Sequence, residues 1–169
     1  SKSKILYGLY EGKKFIAKED SCYLVEGYTD VIQMHQSGIK NTVSSSGTAL
    51  SSDQVRLIKR LTSNITLLFD TDPAGINAAL RGVDLILEQG INVKICTFPQ
   101  GEDPDSFARK NSFSVLKNFL DNNSKDFIQF KAKLLFEESN NDPVKKTSVV
   151  RNIIESIVKI PDIIQQELY

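Results

Sequence analysis

The stretch Ile65-Thr66-Leu67-Leu68-Phe69-Asp70-Thr71-Asp72-Pro73-Ala74-Gly75 decides how the rest of the chain is read. Ile65 to Phe69 is a short apolar run and reads as a buried strand. It ends in two carboxylates one residue apart. Pro73 stands where a helix begins, because its missing N–H costs nothing at the first helical position. A periodic apolar pattern then runs to about Gln89, with Ala78, Leu80, Val83, Ile86 and Leu87 on the inward side. Asp70 and Asp72 are thus placed at the C-terminal end of a strand, the edge where open α/β sheets hold ligands. Two aspartates this close repel unless a cation or a proton lies between them. Oxygen-only donors suit Mg²⁺ or Mn²⁺. A plainer role also fits, with Asp72 as an N-cap and Asp70 as a turn residue. The D-x-D pattern alone does not decide between them.

The same alternation repeats on either side. Ser21 to Val25 and Asn41 to Ser44 read as strands before this one, and Asn92 to Phe98 as a strand after it. Helical patterns separate them: Thr29 to Gln36, stopped by Gly38, and a segment opening at Ser51 or Ser52 with Val55, Leu57, Ile58 and Leu61 on one face. The order predicts an α/β fold, a mainly parallel sheet with helices on both faces. Residues 1–20 read as a lead-in helix, with Ile5, Leu6, Leu9, Phe15 and Ile16 at helical spacing. Residues 21–122 form the α/β domain. Asn122-Asn123-Ser124 reads as a turn and a boundary, and 123–169 as the start of a small helical bundle without strand patterning.

Lys and Arg total 21, Asp and Glu total 21, and the formal net charge is zero. That argues against a free-standing, strongly basic nucleic-acid binder, whose affinity rests on the number of phosphates it neutralises. Cys22 and Cys96 lie in strand-like runs at no metal-ligand spacing and read as buried reduced thiols. A cytoplasmic location follows from that reading. No apolar run reaches the length of a membrane span. Ser1 stands in place of an initiator Met, and the chain reads as a piece of a longer protein. His35 has no second histidine to join in a metal cluster and reads as a surface or packing residue.

Three acidic turns follow three strands: Glu26 with Asp30, Asp70 with Asp72, and Gly101-Glu102-Asp103-Pro104-Asp105. Strands of a parallel sheet end along one edge, so these carboxylates are expected to meet there. Such a gathering is strongly destabilising without a divalent ion. Each turn also has a structural reading, as a solvated turn or an N-cap.

Taken in order, L-Y-G-L-Y-E (6–11), E-G-Y-T-D (26–30), S-G-T-A-L (46–50), F-D-T-D-P-A-G (69–75) and G-E-D-P-D-S-F (101–107) resemble the Toprim domain of bacterial DnaG-type DNA primases. A Glu and a D-x-D alone are shared with topoisomerases. The combination with L-Y-G-L-Y and G-E-D-P-D is specific to the primase branch. The resemblance implies that Glu26, Asp70 and Asp72 are catalytic, and that these three with Asp103 and Asp105 bind the metal. Asp30 then supports the site or serves as an occasional ligand. Lys2 is a candidate contact to nucleotide phosphate, with a solvated terminal lysine as the alternative. Many members carry Gly between the two aspartates. Thr71 stands there in this chain, and its β-branch disfavours a left-handed turn.

The implied activity is that of a DNA-directed RNA polymerase, a nucleotidyltransferase. It makes short RNA primers from ribonucleoside triphosphates on single-stranded DNA by two-metal chemistry with Mg²⁺ or Mn²⁺. The implied setting is a bacterial replication fork, beside a replicative helicase and a single-strand-binding protein. Zinc is expected only in an N-terminal domain outside this sequence. This piece alone is expected to prime weakly or not at all. Two alternatives remain at this point: another Toprim enzyme, a nuclease or a topoisomerase piece, and a non-catalytic nucleic-acid-binding or assembly module.

Overall fold

The strands alternate so that both faces of one sheet are buried. In β1 (Cys22–Val25), Cys22 and Leu24 join one core while Tyr23 and Val25 join the other. In β3 (Asn64–Phe69), Ile65, Leu67 and Phe69 fall to the first and Leu68 to the second. The structure, a computed structural model, describes residues 2–169 apart from the side chains of Lys2, Asn77, Ala78, Ala79 and Arg81. With β2 (Thr42–Ser44), β4 (Asn92–Thr97) and β5 (Ser124–Asp126) the sheet order is β2-β1-β3-β4-β5. The first four strands pair in parallel and β5 runs antiparallel to β4.

Four helices supply the first core: α1 (Leu9–Glu19) through Ile16, α3 (Ser52–Lys59) through Val55 and Ile58, α4 (Pro73–Glu88) through Val83, Ile86 and Leu87, and α7 (Phe127–Glu138) through Phe127 and Ile128. Three supply the second: α2 (Tyr28–Gln36) through Val31 and Met34, α5 (Pro104–Lys110) through Ala108, and α6 (Phe113–Asn123) through Leu116 and Leu120. Helices thus cover both faces, as the alternation predicts. Leu80 also packs inward from α4, and Ala78 lies outside the described side chains. Cys22 and Cys96 are free and buried, one in each core. Burial pushes the Cys96 thiol up to about 11 and the Cys22 thiol further, so neither is a thiolate at neutral pH.

Two expectations need correction. The lead-in helix is shorter than its apolar spacing suggests. A 3-10 turn at Lys2–Lys4 is followed by Tyr7, which exchanges backbone hydrogen bonds with Ser44 at 2.9 and 3.1 Å. Gly8 then sits at φ 81°, where a Cβ would stand 2.6 Å from Val31 Cγ1. Only a glycine fits both the left-handed turn and the close approach.

The second correction is at the tail. Residues 122–124 hold no turn, because α6 runs directly into β5, and the polar triplet Ser-Lys-Asp pairs with Cys96, Ile95 and Lys94. A three-residue strand held by backbone bonds leaves no alternation in the sequence. Asp126 then caps α7 through Ile128 N–H at 2.9 Å, and Phe127 enters the core. The helical tail continues as α8 (Pro143–Ile157) and α9 (Ile163–Glu167). Among the described residues no helix is long and apolar enough to cross a membrane.

Candidate functional site

The four parallel strands end along one edge, and three helices begin there. After Phe69, Asp70 is exposed, and Asp72 caps α4, its Oδ1 accepting the Ala74 N–H at 3.0 Å. Thr71 is not among the described residues with left-handed backbone, so the turn is made without the conformation a glycine would allow. After β4, the Glu102 N–H donates to the Pro99 carbonyl at 2.9 Å and sets the third turn. Asp103 caps α5 by accepting the Ser106 N–H at 2.7 Å, while its own N–H donates to Ser106 Oγ at 3.0 Å. This is a reciprocal capping box. Each cap uses one carboxylate oxygen, so the capping role and a ligand role do not exclude each other.

Asp70, Thr71, Asp72 and Asp103, together with Gln100 and Glu102, line one open cleft of about 380 Å³. Glu26 is exposed at the end of β1 but opens onto a neighbouring cleft of about 530 Å³, with Ser45, Gly47, Thr48 and apolar residues of β1, β3 and α4. The Gly47 N–H donates to the Glu26 carbonyl at 3.4 Å, which brings the small-residue loop after β2 beside that turn.

Asp30 links the first turn to the third. Its Oδ2 accepts the Gly27 N–H and its Oδ1 the Asp105 N–H, both at 3.2 Å. Burial raises its pKa above the usual carboxylate range, and the Asp103 and Asp105 charges add to that. The two backbone donors oppose the rise. Asp105 does not line the cleft, and its carboxylate forms a forked pair with Arg109 at 2.8 and 2.9 Å. Glu102 pairs with Lys110 at 2.7 Å and accepts a second hydrogen bond from Ser106 Oγ. These two partners, Lys110 first, hold its carboxyl below the usual range.

The predicted convergence is therefore partial. Asp70, Asp72 and Asp103 share a cleft, Glu26 stands in the next one, and Asp30 and Asp105 have partners of their own. Among the described residues no three His, Cys, Asp or Glu side chains close into a group that could enclose an ion. Like charges hold exposed carboxylates apart, and local caps and ion pairs take the remainder. Yet Glu26, Asp70, Asp72 and Asp103 have no cationic partner among the described residues. Uncompensated oxygen donors at the N-termini of α4 and α5 fit a hard divalent cation and an anionic ligand that the ion would bring.

The Lys2 side chain lies outside the described residues. His35 is a packing residue, donating from Nε2 to the Thr42 carbonyl at 2.8 Å. Ser106 and Lys110 were not singled out by the sequence reading, and Glu102 entered it only as a member of the third acidic turn. The D-x-x-S spacing of Asp103 and Ser106 carries a signal for the cap, but no local pattern announces a Glu–Lys pair spanning the turn and the whole of α5.

Comparison with known proteins agrees with this architecture. A family model described as Toprim-like matches residues 23–108. The DNA primase of Staphylococcus epidermidis is 36% identical over 187 aligned positions, covering 99% of this chain and 31% of that protein. A DNA primase domain from Pseudomonas aeruginosa superposes with a TM-score of 0.88 at 30% identity, covering 99% of this chain and 54% of the other. A DnaG primase catalytic domain bound to single-stranded DNA gives 0.87 at 27% identity, covering 99% and 55%. The chain thus spans about a third of the length of the curated primase and about half of the solved domains. On sequence and fold together, the chain belongs to the Toprim-like family, in the branch of the bacterial DnaG-type DNA primases.

Proposed function

We propose that this chain is the metal-dependent nucleotidyl-transfer part of a bacterial DNA primase, which makes short RNA primers on single-stranded DNA from ribonucleoside triphosphates. The observation that carries the reading is the cleft holding Asp70, Asp72 and Asp103, which have no cation partner among the described residues, at the carboxyl edge of the sheet. In the reaction, a primer 3′-oxygen forms a bond to the α-phosphorus, the α–β phosphoanhydride breaks, and pyrophosphate leaves. Glu26, Asp70, Asp72 and Asp103 are the residues that would hold Mg²⁺ or Mn²⁺. Asp105 joins them only by leaving Arg109. A bound divalent ion supplies charge neutralisation for the triphosphate and a lowered pKa for the attacking hydroxyl. The capped N-termini of α4 and α5 direct partial positive charge at the same place. Asp30 holds the first and third turns at a fixed separation.

Template binding is supported by likeness to the primase domain solved with single-stranded DNA. The zero net charge of this chain supports a reading in which other parts of the protein carry the larger share of template affinity. The replicative helicase and the single-strand-binding protein are proposed partners of those other parts, and the chain by itself is expected to prime weakly.

Thermal unfolding in EDTA and in millimolar Mn²⁺ tests the metal site. A ligand of the folded state raises the midpoint, by about 2.7 kcal/mol of stability at a hundredfold excess over Kd. The rise is expected in the wild type and lost in Asp70→Asn/Asp72→Asn, which should itself be at least as stable as wild type in EDTA. No rise in the wild type would sink the metal-dependent reading.

A further inference from the structure

Lys110 reaches the cleft without belonging to its lining. Its Nζ lies 2.7 Å from Glu102 Oε1, and Glu102 lines the cleft with Asp70, Asp72 and Asp103. The other oxygen of Glu102 is held by Ser106 Oγ, so the carboxylate stays anchored when the lysine leaves. The Lys110 side chain is 64% exposed, and so exposed an ion pair binds weakly because water competes for the ammonium. Arg109 next to it is as exposed but is placed differently. It grips Asp105 through two bonds, and Asp105 is not part of the cleft wall.

We propose that Lys110 is a phosphate-binding residue of the nucleotide site, parked on Glu102 until a triphosphate enters the cleft. The inference rests on the nucleotidyl-transfer reading above. A triphosphate presents several charged oxygens where Glu102 presents one, so the ammonium moves to the stronger acceptor. Glu102 keeps its bond from Ser106. Lys110 thereby acts on the anionic ligand rather than on the metal, and the Glu102 pair sets how readily it is released.

The test uses the whole 169-residue chain and calorimetric affinities for two probes: Mn²⁺ alone, and inorganic triphosphate at saturating Mn²⁺. Lys110→Gln is expected to weaken triphosphate binding about tenfold, the scale of one lost charge-assisted contact. Its Mn²⁺ affinity should stay within about twofold of wild type, since the metal's donors are untouched. Glu102→Gln is expected to tighten triphosphate binding, and this gain should disappear in the Lys110→Gln background. Opposite signs for the two partners, coupled in the double variant, are not produced by a merely structural ion pair. An unchanged triphosphate affinity in Lys110→Gln, or an equal loss for Mn²⁺ and triphosphate, overturns the proposal. Failure of the wild type to bind Mn²⁺ overturns the underlying reading together with it. Mn²⁺ binding that is lost in Asp70→Asn/Asp72→Asn but is followed by no Lys110 effect overturns this inference alone.

Discussion

Asp30 shows how one side chain can tie together two turns at the edge of a sheet. Both of its oxygens accept backbone N–H groups, from Gly27 and Asp105, and so lock two strand-end turns together. Asp30→Ala leaves those half-buried donors without partners, and urea unfolding should register a loss of about 1–3 kcal/mol. Asp30→Asn retains a carbonyl acceptor and should cost less. Both variants should show a smaller Mn²⁺-induced rise in midpoint than wild type. An Asp30→Ala chain as stable and as metal-responsive as wild type would remove the clamp from the account. The placement of the acidic residues at strand ends was legible in the sequence, because a strand end followed by a helix start places a carboxylate by chain direction alone. Their groupings were not. Whether Glu26 shares the cleft of Asp70, and whether Asp105 prefers Arg109, depends on contacts between turns far apart in the chain.

At the scale of elements, the strongest signals came from residues with one physical use. Pro73 and Pro104 open α4 and α5, Ser51 caps α3 through the Gln54 N–H at 3.1 Å, and short apolar runs mark β1 and β3, which are buried on both faces. Where tertiary contact overrides local pattern, the reading failed. Residues 4–8 carry helical spacing, yet Tyr7 pairs with Ser44, and β5 is polar throughout. The join between sheet and tail is made by Phe127, fully buried directly after β5. Phe127→Ala should cost about 3–5 kcal/mol, the range for emptying a core aromatic site. Hydrogen exchange should show β5 and α7 losing protection ahead of β1 and β3. A uniform loss across all strands would instead make the tail and the sheet one cooperative unit.

At the scale of the molecule, the tail is tied back to the α/β part by a buried polar chain. Lys131 Nζ donates to Ser156 Oγ at 2.6 Å, and Ser156 donates to Asp84 of α4 at 3.2 Å. Burial lowers the Lys131 pKa, while the Asp84 and Glu155 charges pull it back only in part. A lysine whose folded pKa lies below its unfolded value of about 10.4 binds fewer protons when folded. Stability therefore rises with pH between the two values. The stability of wild type relative to Lys131→Met should accordingly grow from neutral pH towards pH 10.5, as read from urea midpoints. A constant difference would mean that the lysine is not penalised by its burial. The sheet itself is bounded in a way that concerns solubility more than catalysis. On one side β2 offers three residues, with Tyr7 already hydrogen-bonded to Ser44. On the other, β5 covers the six-residue β4 with a three-residue polar strand carrying the exposed Lys125. Neither border offers a long, flat, apolar ladder of free amides and carbonyls, so the sheet gives a second polypeptide little to extend, and aggregation by strand addition has no template at either end.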